Sequence, residues 1–177
     1  MNAKVKHNIA LVGFRCTGKT VTGKALAGQL ALEFVDTDDI IEKRAGKSIA
    51  RIFEDDGEAA FRALETDVIT ETCAREGLII SPGGGALMNP ENLENIRRGC
   101  FVALLTADVE TILRRMESDP ATAANRPALT DMGKRREVEH LLSVREGSYH
   151  AAADIEIDTS NQTVEAVVRK IADEWPT

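Results

Sequence analysis

Eight consecutive residues carry the clearest chemistry in this chain. Gly13-Phe14-Arg15-Cys16-Thr17-Gly18-Lys19-Thr20 reads G-x-x-x-x-G-K-T, in which the glycines let successive backbone N–H groups curl around a phosphate. A helix starting directly behind such a loop turns its positive end to the same anion. In that frame Lys19 reaches the β- and γ-phosphates of a nucleotide, and the Thr20 hydroxyl is a ligand for Mg2+. Cys16 places a thiol beside the phosphates, either as a tolerated small side chain or as an oxidisable one. Arg15 adds positive charge, directed either at the phosphates or at solvent.

The remaining chemistry is scattered. Motors and GTPases set an Asp at the end of another buried strand. Here Leu78-Ile79-Ile80 runs instead into Ser81-Pro82-Gly83-Gly84-Gly85, and the stretch Asp158-Thr159-Ser160-Asn161-Gln162 carries no N-K-x-D guanine signature. The acids stand at Asp36-Thr37-Asp38-Asp39. Asp36 either holds a water of the Mg2+ shell or caps a helix; Asp38 either orients or deprotonates a substrate hydroxyl, or caps likewise. Arg62 is a candidate anion ligand or a surface partner of Glu65 at i,i+3. Arg126, before Pro127, and Arg145 are candidates of the same kind, or else a solvated loop charge and an exposed helix face. Gly83–Gly85 is a flexible turn or a bare backbone that a ligand can approach closely. Planar guanidiniums for a carboxylate, with glycine amides and an Asp for hydroxyls, would together suit a hydroxylated carboxylic acid.

The elements that must position these residues alternate in type. Asn8–Val12, Phe34–Val35 with its flanks, Leu78–Ser81, Phe101–Leu105 and Ile155–Ile157 read as strands. The first and fourth are continuous apolar runs, as strands buried on both faces should be. Phe61, Leu64 and Val68 share one helical face, as do Val164, Val167, Val168, Ile171 and Trp175. The alternation predicts an α/β fold with a parallel, doubly wound sheet. Two segments fit it poorly: Thr37–Asp56, two short helical pieces parted at Ala45-Gly46, and Ser118–Gly133, which has no apolar periodicity and reads as a lid or binding loop.

Length and composition bound the partners. The 177 residues suit one domain, spanning 1–177, and 22 Lys plus Arg against 29 Asp plus Glu give a net charge of −7. That balance argues against a nucleic-acid binder. It also weighs against anionic small molecules until screening is considered: beyond about 8–10 Å salt hides the sum, and a ligand feels its own cleft. Cys16, Cys73 and Cys100 are odd in number and widely spaced, giving no disulfide framework and no zinc spacing with His7, His140 or His150. With neither a signal-type apolar run nor a membrane span, a reducing cytoplasm is the expected setting; the size and the lack of an obvious extra apolar face predict a monomer.

From Ile9 to about Ala172 the chain closely resembles the shikimate kinase family. The resemblance rests on the phosphate loop, FVDTDDIIE (Phe34–Glu42), GKSIARIFEDDGEAAFRALE (Gly46–Glu65), PGGGAL (Pro82–Leu87), Arg126-Pro127, and the Arg145…Tyr149…Ala152-Asp154 region, in order. It implies a P-loop kinase fold: three α/β/α layers, a five-stranded parallel sheet, a substrate-binding helical insertion at about 37–65 and a mobile lid at about 118–133. It implies MgATP-dependent phosphorylation of the 3-hydroxyl of shikimate, in the pathway to aromatic amino acids. Carried over, Cys16, Thr17, Gly18, Lys19, Thr20 and Val21 surround the ATP phosphates, Thr20 ligates Mg2+, and Asp36 holds it through water. Asp38, Arg62, the Gly83, Gly84 and Gly85 turn, and Arg145 meet shikimate, with the two arginines on its carboxylate. Lys19, Asp38 and Arg126 are the implied catalytic set, Arg126 closing on the phosphates, and Gln162 lies near the adenine. Arg15 and Cys16 depart from the family's usual small residues in the loop.

Overall fold

A computed structural model describes residues 6–118 and 133–176. Five strands, β1 (Asn8–Val12), β2 (Glu33–Asp36), β3 (Leu78–Ser81), β4 (Cys100–Thr106) and β5 (Ile155–Asp158), form one sheet in the order β2-β3-β1-β4-β5. Every pairing is parallel, so the carboxyl ends of all five strands lie along one edge.

The two faces of β1 show why its sequence does not alternate. Ile9 and Leu11 pack with Leu26 of α1 (Lys19–Leu30) and with Val168 and Ile171 of α8 (Val164–Glu174). Ala10 and Val12 face the other way, toward Ile69 of α4 (Gly57–Cys73), Ile96 of α5 (Pro90–Gly99) and Tyr149 of α7 (Lys134–Ala152). Helices cover both faces, so every β1 side chain is buried and none needs to be polar for solvent. This is the expected α/β/α arrangement.

Between β2 and β3 the chain adds α2 (Thr37–Ala45) and α3 (Ile49–Asp55) ahead of α4. The break at Ala45-Gly46 is a helix end: Gly46 takes φ +67°, and its N–H donates to the Glu42 carbonyl. Ser48 restarts the chain by capping Arg51 N. Ile41, Ile52, Phe61 and Val68 then form a small core of their own beside the sheet. This places the insertion next to the carboxyl end of β2.

Strand and helix limits differ from the sequence reading mainly at their ends. β4 is longer by one residue at each end, and Trp175 falls just past α8, where its indole Nε1 donates to the Lys6 carbonyl. After β4 comes α6 (Val109–Ser118); of the segment read as a lid, residues 119–132, with Arg126, lie outside the described residues. No helix among the described residues is long and apolar enough to cross a membrane. The two cysteines that spacing left unpaired, Cys73 and Cys100, lie with their Sγ atoms 3.9 Å apart, where the end of α4 meets the start of β4.

Candidate active site

Three strand ends build the site. β1 runs into the phosphate loop, β2 ends on Asp36, and β3 runs into Gly83–Gly85. In an open parallel sheet the carboxyl edge is where ligands bind. Here it opens into a cleft of about 620 Å³ lined by both glycine-rich loops, the acids and the arginines.

The phosphate loop is held from within and from below. Gly13 takes φ +139°, and a Cβ there would lie 2.2 Å from the Leu105 carbonyl oxygen, so only glycine lets the loop sit this low against β4. Thr17, nearly fully buried, donates its hydroxyl to the Phe14 carbonyl; it shapes the loop and does not line the cleft. Cys16 takes φ +63°, a left-handed conformation unusual for a residue with a Cβ. Lys19 folds over the loop, its Nζ donating to the carbonyls of Gly13 (2.9 Å) and Phe14 (3.0 Å). Thr20 and Val21 stand exposed at the cleft on the first turn of α1.

Asp36 is a helix cap that also faces the cleft. Its carboxylate accepts from Asp38 N (3.0 Å) as the N-cap of α2, and it also lines the cleft. Burial pushes its pKa from 3.8 up to about 6, and Asp38 and Asp39 add to the rise; the Asp38 N–H bond and Lys19 oppose it. A crowded carboxylate beside a phosphate loop is a poor place for further negative charge and a good one for a cation. Thr20 and Asp36 therefore fit the donor set expected for Mg2+ held mainly by nucleotide phosphates and water. Among the described residues no cluster of three or more His, Cys, Asp or Glu side chains forms a metal cage.

The triple glycine is the hinge of the substrate side. A Cβ on Gly83 would lie 2.7 Å from Asp38 Oδ1 and 3.3 Å from Glu65 Oε1. A Cβ on Gly85 would lie 3.5 Å from Arg62 Nη1 and 3.7 Å from Arg145 Nη2. The bare turn therefore marks the point where the Asp38 carboxylate and two guanidiniums converge. Tyr149 fixes it from behind, its hydroxyl donating to the Gly84 carbonyl at 2.5 Å.

Arg62 does pair with Glu65 at 2.9 Å, as its spacing allowed, but this is no surface pair: the Glu65 side chain is 2% exposed. Burial raises the Glu65 pKa against the opposing Arg62 hydrogen bond, and the buried carboxylate orients the guanidinium toward the turn. Glu65 lines the cleft too, a residue whose sequence signal was only an i+3 spacing. Phe53 and Phe61 add an apolar wall, their ring centroids 4.7 Å apart.

Three further residues are held by contacts that the sequence did not show. Arg15 does not point to solvent; it is 8% exposed and bonds Glu137 at 2.7 Å. Gln162 does not line the cleft, and its amide donates to the Asp158 carbonyl at the end of β5. Arg115, which no sequence signal singled out, bonds the Cys16 carbonyl (3.1 Å) and the Thr159 carbonyl (2.7 Å), tying the loop to the β5 end. Ninety-nine residues separate Arg115 from Cys16, so no local pattern could signal that contact.

The arrangement pairs a nucleotide-phosphate cradle with a second compartment for a small, carboxylated, hydroxylated molecule. Known proteins resemble the chain over nearly its whole length. The family model described as shikimate kinase matches residues 15–175. A shikimate kinase of Pelotomaculum thermopropionicum is 41% identical over 93% of this chain and 92% of its own length. One from Geobacter sulfurreducens is 41% identical over 94% of this chain and 89% of its own. The solved shikimate kinase from Acinetobacter baumannii in complex with shikimate superposes with a TM-score of 0.86 at 35% identity, covering 94% of this chain and 90% of that one. On these matches, and on a cleft built as such chemistry requires, this chain belongs to the shikimate kinase family.

Proposed function

We propose that the chain transfers the γ-phosphoryl group of ATP to the 3-hydroxyl of shikimate, giving shikimate 3-phosphate and ADP, the step its family serves on the way to chorismate and the aromatic amino acids. The observation that carries this reading is the convergence of Arg62, Arg145 and Asp38 on one glycine turn, in the same cleft as the phosphate loop. Two guanidiniums recognise a carboxylate through paired hydrogen bonds, and the nearby Asp38 carboxylate accepts from a hydroxyl.

The chain's part in the transfer is mostly positioning. The loop amides of Cys16–Val21 hold the phosphates, with Lys19 leaving its carbonyl partners for the β- and γ-phosphates. Arg62 and Arg145 fix the substrate carboxylate, and the Gly83, Gly84 and Gly85 backbone lets its ring approach. Asp38 then holds the 3-hydroxyl in line with the γ-phosphorus. The hydroxyl oxygen forms the new P–O bond as the bond to the β–γ bridging oxygen breaks, and the hydroxyl proton passes toward Asp38. Thr20 and, through water, Asp36 would hold Mg2+, which when bound neutralises charge on the β- and γ-phosphates. Arg126 is assigned to the phosphates and Gln162 to the adenine side on family resemblance alone. The net charge favours small-molecule partners over nucleic acid, and we read the chain as a cytoplasmic monomer.

The test is coupled ADP release with and without shikimate. Shikimate-dependent ADP release is expected; release with another hydroxy acid or polyol but not shikimate would reassign the substrate, and none with any acceptor would refute a kinase. Asp38→Asn is expected to lose most turnover while ATP binding stays nearly intact; near-normal turnover would remove Asp38 from its role.

A further inference from the structure

Arg15 and Phe14, adjacent in the phosphate loop, both turn toward α7. The Phe14 ring is 1% exposed and packs against Val138 of α7 and Ile112 of α6. Beside it, the Arg15 guanidinium bonds the Glu137 carboxylate at 2.7 Å, with both residues at least nine-tenths buried. Two turns further along α7 stands Arg145, whose guanidinium lies 5.7 Å from the centroid of that same Phe14 ring; Arg15 lies 5.5 Å from it. One aromatic ring from the nucleotide loop thus supports two guanidiniums, one locked to α7 by an ion pair and one facing the substrate turn.

A buried ion pair is a weak device for stability, since well-packed apolar residues often do as well or better. This one also leaves the buried Arg15 Nε without a hydrogen-bond partner among the described residues, a cost that an apolar pair would avoid. What a buried ion pair does supply is a unique register between the elements it joins, because a slip leaves charge buried and unpaired. The elements joined here are the phosphate loop and the helix that carries a carboxylate ligand.

We propose that Arg15 and Glu137 are positioning residues: their ion pair clamps the phosphate loop to α7 and so fixes Arg145 for the substrate carboxylate. The clamp rests on the function proposed above and deepens it, since it makes carboxylate recognition depend on an ion pair that joins the phosphate loop to α7. The Arg15 charge is matched by a buried acid 122 positions further along the chain.

The readout is the preference for shikimate over its methyl ester, which keeps the hydroxyls but removes the carboxylate charge. As a ratio of kcat/KM values it does not change with the fraction of folded enzyme, so a purely structural loss leaves it unmoved. Glu137→Leu and Arg15→Met are each expected to reduce the ratio about ten-fold. Glu137→Gln, which keeps an acceptor for Arg15, should reduce it less. The double variant R15M/E137L should be no worse than either single change, because both act through one contact. Arg15→Lys, milder for folding, should fall in between, having charge without the planar fork. A ratio equal to wild type in Glu137→Leu and Arg15→Lys, or losses that add in the double variant, would overturn the clamp. Calorimetric binding of the two ligands reads the same preference without turnover. A wild type that binds shikimate selectively but does not phosphorylate it would refute the assigned reaction and leave the clamp measurable.

Discussion

Asp36→Asn should make the ligand-free protein more stable and the enzyme worse. In the folded chain burial and the neighbouring Asp38 and Asp39 hold the Asp36 carboxyl at about 6 against an ordinary 3.8, a difference of roughly two pH units. At 1.36 kcal/mol per unit, ionised Asp36 costs up to about 3 kcal/mol of stability. The sign follows from the raised value. Folding is favoured by this group below about pH 3.8, where it is protonated in both states, and that contribution is lost as pH rises through about 6. Asparagine removes the charge but keeps the cap, since Asn and Asp serve equally at an N-cap and the amide oxygen can still accept from Asp38 N. Allowing half the gain for burying the amide leaves about 1.5 kcal/mol, or roughly 3–6 °C in Tm for a chain of this size. The assay is thermal unfolding of both proteins from pH 4 to 8 without Mg2+ or nucleotide. The variant should be slightly the less stable of the two at pH 4, the sign should reverse as pH rises, and the gain should be complete just above pH 6. In turnover the variant should lose about ten- to a hundred-fold, as expected when an outer-shell partner of a metal is removed, with part of the loss recovered at high Mg2+. An Asp36→Asn protein less stable than wild type at pH 8, or a stability difference that does not change with pH, would refute the reasoning.

Other changes probe the rest of the site. Arg62→Ala should raise KM for shikimate at least ten-fold and leave KM for ATP within about two-fold, measured by steady-state kinetics; it should also lower stability, because Glu65 is left buried without its partner. Gly83→Ala should reduce kcat sharply, its Cβ falling 2.7 Å from Asp38 Oδ1, whereas Gly28→Ala in α1, with nothing within 4 Å, should stabilise by about 0.5–1 kcal/mol and leave turnover unchanged. Mild oxidation by a hydroperoxide should join Cys73 and Cys100, 3.9 Å apart, a product read as the loss of two hydrogens by mass spectrometry and abolished in Cys100→Ala.

The sequence by itself determined whatever chemistry is local. The phosphate loop is complete within eight residues, because backbone amides, a following helix and Lys19 suffice to cradle a phosphate. The strands were legible for a similar reason: a strand covered on both faces is mostly apolar, as β1 is from Ile9 to Val12 and β4 from Cys100 to Leu105. The break at Ala45-Gly46 was equally readable, since a glycine ends a helix by its own conformation.

Only the tertiary structure decided how distant charges divide their labour. Arg62 could have been half of a surface pair until Glu65 proved buried beneath it. Arg15 could have faced solvent until α7 brought Glu137 to it, and Arg145 gained its meaning only from the glycine turn at the end of β3. An isolated charged residue looks the same in sequence whether water or protein surrounds it. Its neighbours across the sheet edge, tens of residues away along the chain, set its burial and orientation, and with these its chemistry.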